Sequence, residues 1–327
     1  MSLGAPRFWQ APPNTSLLAK LLSPLGTLYH REVQRRLASA APYRAPCPVI
    51  CIGNATMGGV GKTPFVQMLA GALAAAGHTP HILTRGYGGS MKGPLRVTSR
   101  HRASEVGDEP LMLARDHAVW VSRDRPAGAK AAADAGASVI VMDDGFQNPS
   151  VIKDRSLLLV DAASLFGNGE VFPAGPLRER PEAALTRADA VVSVLPSETD
   201  ETPEALHAFA GDAPLAEAWF TVDDAAVPQG LVLAFCGIGR PERFERSLTA
   251  AGAHLLDFHA FADHHPFRPD ELERLRREAK SSGAQLVTTE KDMMRLAPSE
   301  RHGITAIPGV MRWRGGDEIL RLIEEIL

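Results

Sequence analysis

The chain has 327 residues, 45% of them apolar, which is enough to bury one large core or two of ordinary size and too apolar for a disordered chain. A formal charge of -3 offers no general attraction to polyanions, and no basic block supplies one locally, so nucleic acid is excluded as a default partner. Three cysteines, Cys47, Cys51 and Cys236, form no CxxC pair, and in an extended run the first two lie roughly 13 Å apart, so neither a disulfide framework nor a zinc site is expected.

The N-terminus lacks the basic, apolar and small-residue succession of a signal peptide, and charge-free runs fall short of the ~20 residues of a spanning helix, which predicts a cytoplasmic chain. Leu17, Leu18, Leu21, Leu22, Leu25, Leu28 and Tyr29 recur at helical spacing, with Lys20, Arg31, Arg35 and Arg36 nearby and Phe8-Trp9 upstream. Such a stripe suits a basic amphipathic helix resting on an anionic membrane surface, or a helix packed on its own domain. Pro24 and Gly26 interrupt it.

From Pro48 onward, short apolar runs alternate with amphipathic segments. The runs are Val49 to Ile52, His81 to Leu83, Val119 to Ser122, Ser138 to Met142, Leu157 to Val160 and Ala190 to Leu195; helices are predicted at Pro64 to Ala76 and Gly128 to Ala135. This is the pattern of a parallel sheet covered by helices on both faces, an α/β class. A second alternation starts at Leu231 to Phe235 and runs through His254 to Phe258, Gln285 to Thr289 and Ile304 to Ile307, with helices at Pro241 to Ala251 and Pro269 to Ser282 and a last one from about Asp317. Three parts are therefore expected: an N-terminal amphipathic segment (1–42), a nucleotide-binding domain (43–222) and a smaller α/β domain (223–327).

Between the first strand and the first helix of the sheet lies Gly53-Asn54-Ala55-Thr56-Met57-Gly58-Gly59-Val60-Gly61-Lys62-Thr63-Pro64, the setting a phosphate-binding loop requires. Glycines let backbone N–H groups close on phosphate, the helix N-terminus favours negative charge, Lys62 reaches the β- and γ-phosphates, and Thr63 can ligate Mg²⁺. The fold class predicted is thus a P-loop NTPase-type parallel sheet, with ATP and Mg²⁺ as expected ligands and residues Thr56, Met57, Gly58, Gly59, Val60, Gly61, Lys62, Thr63 and Pro64 on the phosphates. The generic GxxxxGK[ST] pattern has Gly where this chain has Thr56, and Met57 stands where partition-type ATPases carry a lysine. The strand Ser138 to Met142 ends in Asp143-Asp144-Gly145-Phe146-Gln147, a Walker B pattern in which one carboxylate organises the magnesium shell.

Two further segments carry acid–base groups. Gly107-Asp108-Glu109-Pro110 reads locally as a helix start, with Asp108 as N-cap and Pro110 in the first turn. Phe261-Ala262-Asp263-His264-His265-Pro266-Phe267 reads locally as a solvated loop. Paired acid and imidazole groups are nevertheless what deprotonation of an alcohol requires.

The ordered set of these segments resembles the tetraacyldisaccharide 4'-kinase family, which phosphorylates the lipid A precursor at the cytoplasmic face of the Gram-negative inner membrane. The resemblance spans about Pro48 to Asp292. Besides the phosphate loop it includes Leu83-Thr84-Arg85-Gly86-Tyr87-Gly88, Gly107 to Pro110, Asp143 to Gln147, Pro173-Ala174-Gly175-Pro176-Leu177-Arg178-Glu179, Asp263-His264-His265 and Thr289-Glu290-Lys291-Asp292.

By this resemblance Asp108 is the catalytic aspartate and His264 its partner, beside Lys62; Thr63, Glu109, Asp143 and Asp144 surround the metal; and Arg85, Arg178 and Asp263 face substrate. It also implies a membrane-associating N-terminal segment, a peripheral location on the inner membrane, the tetraacyldisaccharide 1-phosphate as acceptor and no protein partner. Asn148, where histidine often follows the Gln, and Arg180, where proline often follows Arg-Glu, depart from the family pattern on the lipid side. Two other readings predict different chemistry: a switch ATPase or GTPase turns over without an alcohol acceptor, though no NKxD-like guanine-reading segment is present, and a soluble small-molecule kinase is indifferent to lipid.

Overall fold

The computed structural model describes residues 6–12 and 15–327, so the first five residues of the expected N-terminal segment, with residues 13 and 14, lie outside the described residues. In chain order the strands are β1 (Val49–Gly53), β2 (Pro80–Thr84), β3 (Leu95–Arg96), β4 (Ala118–Val121), β5 (Val139–Asp143), β6 (Arg155–Asp161), β7 (Ala190–Leu195), β8 (Leu215–Val222), β9 (Leu231–Cys236), β10 (His254–Ala260), β11 (Gln285–Thr289), β12 (Ile304–Ile307) and β13 (Gly309–Arg314). The helices are α1 (Leu17–Ser39), α2 (Lys62–Ala75), α3 (Ala103–Val106), α4 (Asp108–Leu113), α5 (Arg125–Asp134), α6 (Pro181–Leu185), α7 (Glu204–Ala210), α8 (Pro241–Ala250), α9 (Pro269–Ser282), α10 (Glu290–Arg295) and α11 (Gly316–Glu324).

Nine strands form one sheet in the order β13-β8-β7-β6-β1-β5-β2-β4-β3, parallel except for the two edges, where β13 runs antiparallel to β8 and β3 to β4. Strands β1, β2 and β5 are buried along their whole length, as a sheet sandwiched between helices demands. Ile50, Ile52, Phe65, Leu69, Ile82, Val141 and Leu157 belong to the main core, which Ile319 and Ile323 of α11 also enter. A second sheet, β10-β9-β11-β12, is all parallel. Phe244 and Leu248 of α8 pack with Val232 and Ala234, and Leu272 and Leu275 of α9 pack with Leu233 and Phe235, so the small sheet is covered on both faces.

The expected α/β class and the parallel sheet are therefore present. The smaller part, however, does not run to the C-terminus: β13 returns to pair with β8, and α11 packs on the large core. The physical reason is an open edge. β8 would otherwise end the large sheet with a row of unpaired backbone groups, which β13 satisfies from Gly309–Val222 to Arg314–Glu217. Phe65 of α2 meets Trp313 of β13 edge to face at 5.8 Å, which ties this returning strand to the helix that starts at Lys62.

Helix α1 is continuous through Pro24 and Gly26. Its buried positions are Ala19 and Gly26, while Leu17, Leu21, Leu25 and Leu28 are 83%, 76%, 52% and 59% exposed. The helix docks through small and polar residues instead. A Cβ on Gly26 would stand 2.7 Å from the Val171 carbonyl oxygen, Ser23 donates to Glu170 (3.1 Å), and Tyr29 packs edge to face on Phe172 at 5.6 Å. Leu17, Leu21, Leu25 and Leu28 are thus turned away from the protein, while another side of the same helix packs on it. Among the described residues, no helix is long and apolar enough to cross a membrane.

Candidate active site

β1 and β5 are parallel neighbours, so the segments that leave their C-terminal ends meet at one place on the sheet edge. The loop after β1 turns into α2 at Gly61, whose φ of +89° is a left-handed conformation that a side chain would strain. Thr56 needs no such freedom. It forms an antiparallel bridge with Leu177, supported by Met57 N–H donating to Pro176 O (2.6 Å) and Arg178 N–H donating to Ala55 O (2.7 Å). The departure from glycine at this position is explained: the first half of the loop is extended and braced by the segment Pro173 to Glu179.

Lys62 lies partly buried at the start of α2, its Nζ donating to Asn54 Oδ1 (2.9 Å) and standing 3.5 Å from Asp144 Oδ1. Asn54 is fully buried and also donates to Thr56 O (2.8 Å), so one amide holds both the lysine and the loop. Thr63 Oγ1 donates to Glu109 Oε2 at 2.9 Å, which brings the start of α4 to the start of α2.

The two aspartates after β5 differ in their electrostatics. Asp143 is buried and its Oδ1 has no hydrogen-bond partner; burial, only partly offset by Lys62, pushes its carboxyl up to about 6, with Glu109 and Asp144 adding repulsion. Burial also acts to raise Asp144, but Lys62 and Arg178 outweigh it and hold that carboxyl below the ordinary range. Arg178 Nη1 donates to Asp144 Oδ1 (2.8 Å), and Asp144 takes a φ of +52°. An unpartnered buried oxygen among carboxylates and a hydroxyl is the donor set of a hard divalent cation, so these residues fit Mg²⁺.

Asp108 is the first residue of α4, not its cap: Gly107 is the N-cap, and no side chain caps the helix. His264 stands in the loop after β10 with φ +60°, and its Nδ1 lies 3.7 Å from Asp108 Oδ2. The pair that the resemblance implied is brought together across the two sheets, though at this distance it is not a hydrogen bond. Asp263 Oδ1 lies 3.8 Å from His264 Nε2. Arg85 is exposed just beyond β2.

Reading the sequence assigned no role to five residues that hold this geometry. Arg295 of α10 donates to His264 Nδ1 (2.9 Å) and lies 3.6 Å from Asp108 Oδ2. Glu179, fully buried, accepts from Arg187 (2.6 Å), from Gln147 (2.9 Å) and from Gln34 of α1 (3.1 Å), and Gln147 donates in turn to Asn54 O (3.0 Å). A chain of hydrogen bonds therefore runs from α1 to the residue that holds Lys62. Glu179 and Gln147 lie in quoted motifs, but nothing in the local sequence shows that Gln34 or Arg187 reaches them.

Comparison with known proteins bears on what this arrangement does. The LpxK family model, described as tetraacyldisaccharide-1-P 4'-kinase, matches residues 18–326. The tetraacyldisaccharide 4'-kinase of Caulobacter vibrioides (strain NA1000 / CB15N) is 48% identical over 316 residues, which covers 94% of each chain. That of Rhodospirillum centenum is 46% identical over 329 residues, with 99% of this chain and 96% of the other covered. The crystal structure of "apo" form LpxK from Aquifex aeolicus in complex with ATP matches with a TM-score of 0.74 at 28% identity, covering 95% of this chain and 99% of that one.

Proposed function

The chain belongs to the tetraacyldisaccharide-1-P 4'-kinase family, and from that membership we propose how its residues divide the work of phosphoryl transfer. It is an ATP-dependent kinase of lipid A biosynthesis, which moves the γ-phosphate of ATP to the 4'-hydroxyl of a tetraacyldisaccharide 1-phosphate. The loop Thr56 to Pro64 cradles the ATP phosphates, and Lys62 places its charge against the group in transfer. Thr63, Glu109, Asp143 and Asp144 hold Mg²⁺, which when bound neutralises charge on the phosphate oxygens.

Asp108, with His264 beside it, accepts the proton of the sugar hydroxyl. A hydroxyl is a weak nucleophile at neutral pH, and a carboxylate within hydrogen-bond reach removes the proton as the O–P bond forms. The observation that carries this reading is the Thr63–Glu109 bond of 2.9 Å, because Glu109 is the neighbour of Asp108 and so fixes the base beside the phosphate loop. The unit built on β9 to β12 supplies His264 and Asp263 from the opposite side and closes over the acceptor, which excludes water from the ATP. Arg178 and Arg85 face the phosphate groups of nucleotide or lipid.

The exposed leucines of α1, with Lys20 and Arg31 nearby, support peripheral binding to an anionic bilayer, and the acceptor's pathway points to the cytoplasmic face of the inner membrane. The test is purified protein with labelled ATP and a tetraacyl disaccharide 1-phosphate in mixed micelles. Label is expected in the lipid, with little hydrolysis when acceptor is omitted. Equal ATP turnover without acceptor would favour a switch ATPase, and indifference to detergent and lipid would favour a soluble small-molecule kinase.

A further inference from the structure

We propose that Arg295 is the positioning residue that joins His264 to Asp108 and fixes which ring nitrogen of His264 carries the proton. This rests on reading Asp108 and His264 as the acceptor-side pair, and it assigns the two members different tasks.

The gap of 3.7 Å between Asp108 Oδ2 and His264 Nδ1 is too long for a hydrogen bond, and Arg295 spans it, with Nη2 2.9 Å from Nδ1 and Nε 3.6 Å from Oδ2. A guanidinium carries donors and no acceptor, so Nδ1 must be the accepting nitrogen and the proton of the neutral ring sits on Nε2. Nδ1 then has no free lone pair for the proton of an acceptor hydroxyl while Arg295 is in place. That proton goes to the Asp108 carboxylate as the hydroxyl O–H bond breaks, and His264 contributes an oriented Nε2–H donor rather than a second base.

The arginine is itself held on three sides. Its Nη1 donates to Asp292 Oδ1 (2.8 Å) and to Gly237 O (2.8 Å), and its side chain is only 12% exposed. Asp292 is fully buried and accepts through Oδ2 from Gly237 N–H (3.0 Å) and Thr289 Oγ1 (2.7 Å). The backbone N–H of His264 donates to the same Gly237 carbonyl at 3.0 Å. One peptide group at the end of β9 therefore anchors both the arginine and the left-handed histidine, and the segment Thr289 to Asp292 acts by fixing Arg295. An arginine kept only to neutralise Asp292 would have no need to reach His264; the fork does both at once.

Arg295→Ala leaves Asp292 buried without its cation and will lose stability, so Arg295→Lys carries the test. Lysine keeps a charge within reach of Asp292 but has no planar fork to span Asp292, Gly237 and His264 together. In the full-length protein, long-range ¹H–¹⁵N spectra of the imidazoles, with His264 identified by its loss in His264→Ala, should show the Nε2–H tautomer in wild type and mixed tautomers in Arg295→Lys. The variant should keep its Tm and its KM for ATP, while kcat falls by roughly 10- to 100-fold, the scale set by misplacing one reacting group. Combining it with His264→Ala should cost little beyond His264→Ala alone.

A wild-type His264 carrying its proton on Nδ1 overturns the inference, as does Arg295→Lys with an unchanged ring spectrum and unchanged kcat. Normal turnover in Asp108→Ala would overturn the base assignment while leaving the ring spectrum intact. An unaltered spectrum in Arg295→Lys would overturn the role of Arg295 while leaving the base assignment intact.

Discussion

The phosphate side of the proposed active site is drawn from the ends of two neighbouring parallel strands, β1 and β5, and the first turn of α2. The acceptor side is drawn from the start of α4, a loop after β10 and the end of α10, which belong to two different sheets. On the first side Lys62, Asn54 and Asp144 lie within hydrogen-bond or ion-pair distance without any movement. On the second, Asp108 and His264 touch only through a third residue. In the proposed mechanism the groups assigned to the nucleotide stand at the end of one sheet, whereas those assigned to the lipid acceptor come from two sheets and meet only through Arg295.

The largest expected effect breaks the rigid side. Lys62→Ala removes the point charge facing the transferring phosphoryl group and should bring labelled-ATP transfer to background, at least about 10²- to 10³-fold down, with weaker ATP binding by calorimetry. Near-normal turnover would sink the phosphate-loop assignment. Asp108→Ala and His264→Ala break the other side. Each should lower kcat, by about 10²- to 10⁴-fold for the base, with ATP affinity nearly intact, and the double variant should lose little more than the worse single one. Small additive losses that follow Tm would remove the pair from the mechanism.

The same contrast explains what could be read from the amino acids. The phosphate loop and the Asp143-Asp144 turn were legible because their chemistry is contiguous and follows a strand pattern that sheet burial dictates. The strands of both alternations were legible for the same reason, as continuous apolar runs. β8 and β13 were not, because an antiparallel edge pair alternates Glu217 with Ala216 and Ala218, and Arg312 with Met311, and makes sense only once the two strands face each other. Asp108 and His264 could be recognised by resemblance, yet their local patterns describe a helix cap and a loop, and neither shows Arg295, whose role depends on α10 docking against α4.

A smaller effect tests how the two sides are joined. Asp161, at the end of β6, is buried and accepts from Arg240 (2.7 Å) and Arg243 (3.0 Å) of the α8 region, a link between the large sheet and the small one. Burial alone would raise the Asp161 carboxyl, but the two arginines outweigh it and hold it below the usual range. With the folded value depressed, its contribution is fully present above the unfolded value of 3.8 and disappears as pH falls through the folded one. Asp161→Asn should cost about 2 kcal/mol at pH 7 by denaturant unfolding, a cost that shrinks at acid pH, and should lower kcat far less than Asp108→Ala. A stability difference that stays constant from pH 7 down to about pH 2 would show that the charge of Asp161 is not what holds the link.

The smallest expected effect on chemistry, and the sharpest on location, concerns α1. Leu21, Leu25 and Leu28 are more than half exposed, so replacing all three by Ser removes little internal packing and should leave Tm within a few degrees, as surface changes usually do. Full burial of a leucine contributes roughly 1.5–3 kcal/mol, so losing three from a stripe that inserts into lipid should abolish co-sedimentation with anionic vesicles and raise the KM for lipid acceptor. kcat at saturating acceptor and KM for ATP should stay unchanged. Gly26→Leu makes the opposite cut: it keeps the stripe but drives a side chain against Val171 O, lifting the helix from the loop that leads to Glu179. Because Glu179, Gln147 and Asn54 connect that loop to Lys62, this variant should still bind vesicles yet lose ATP affinity. If the triple Ser variant sediments with vesicles as wild type does, the stripe is not the membrane contact, and if Gly26→Leu leaves ATP affinity untouched, the hydrogen-bond chain from α1 does not reach the phosphate side.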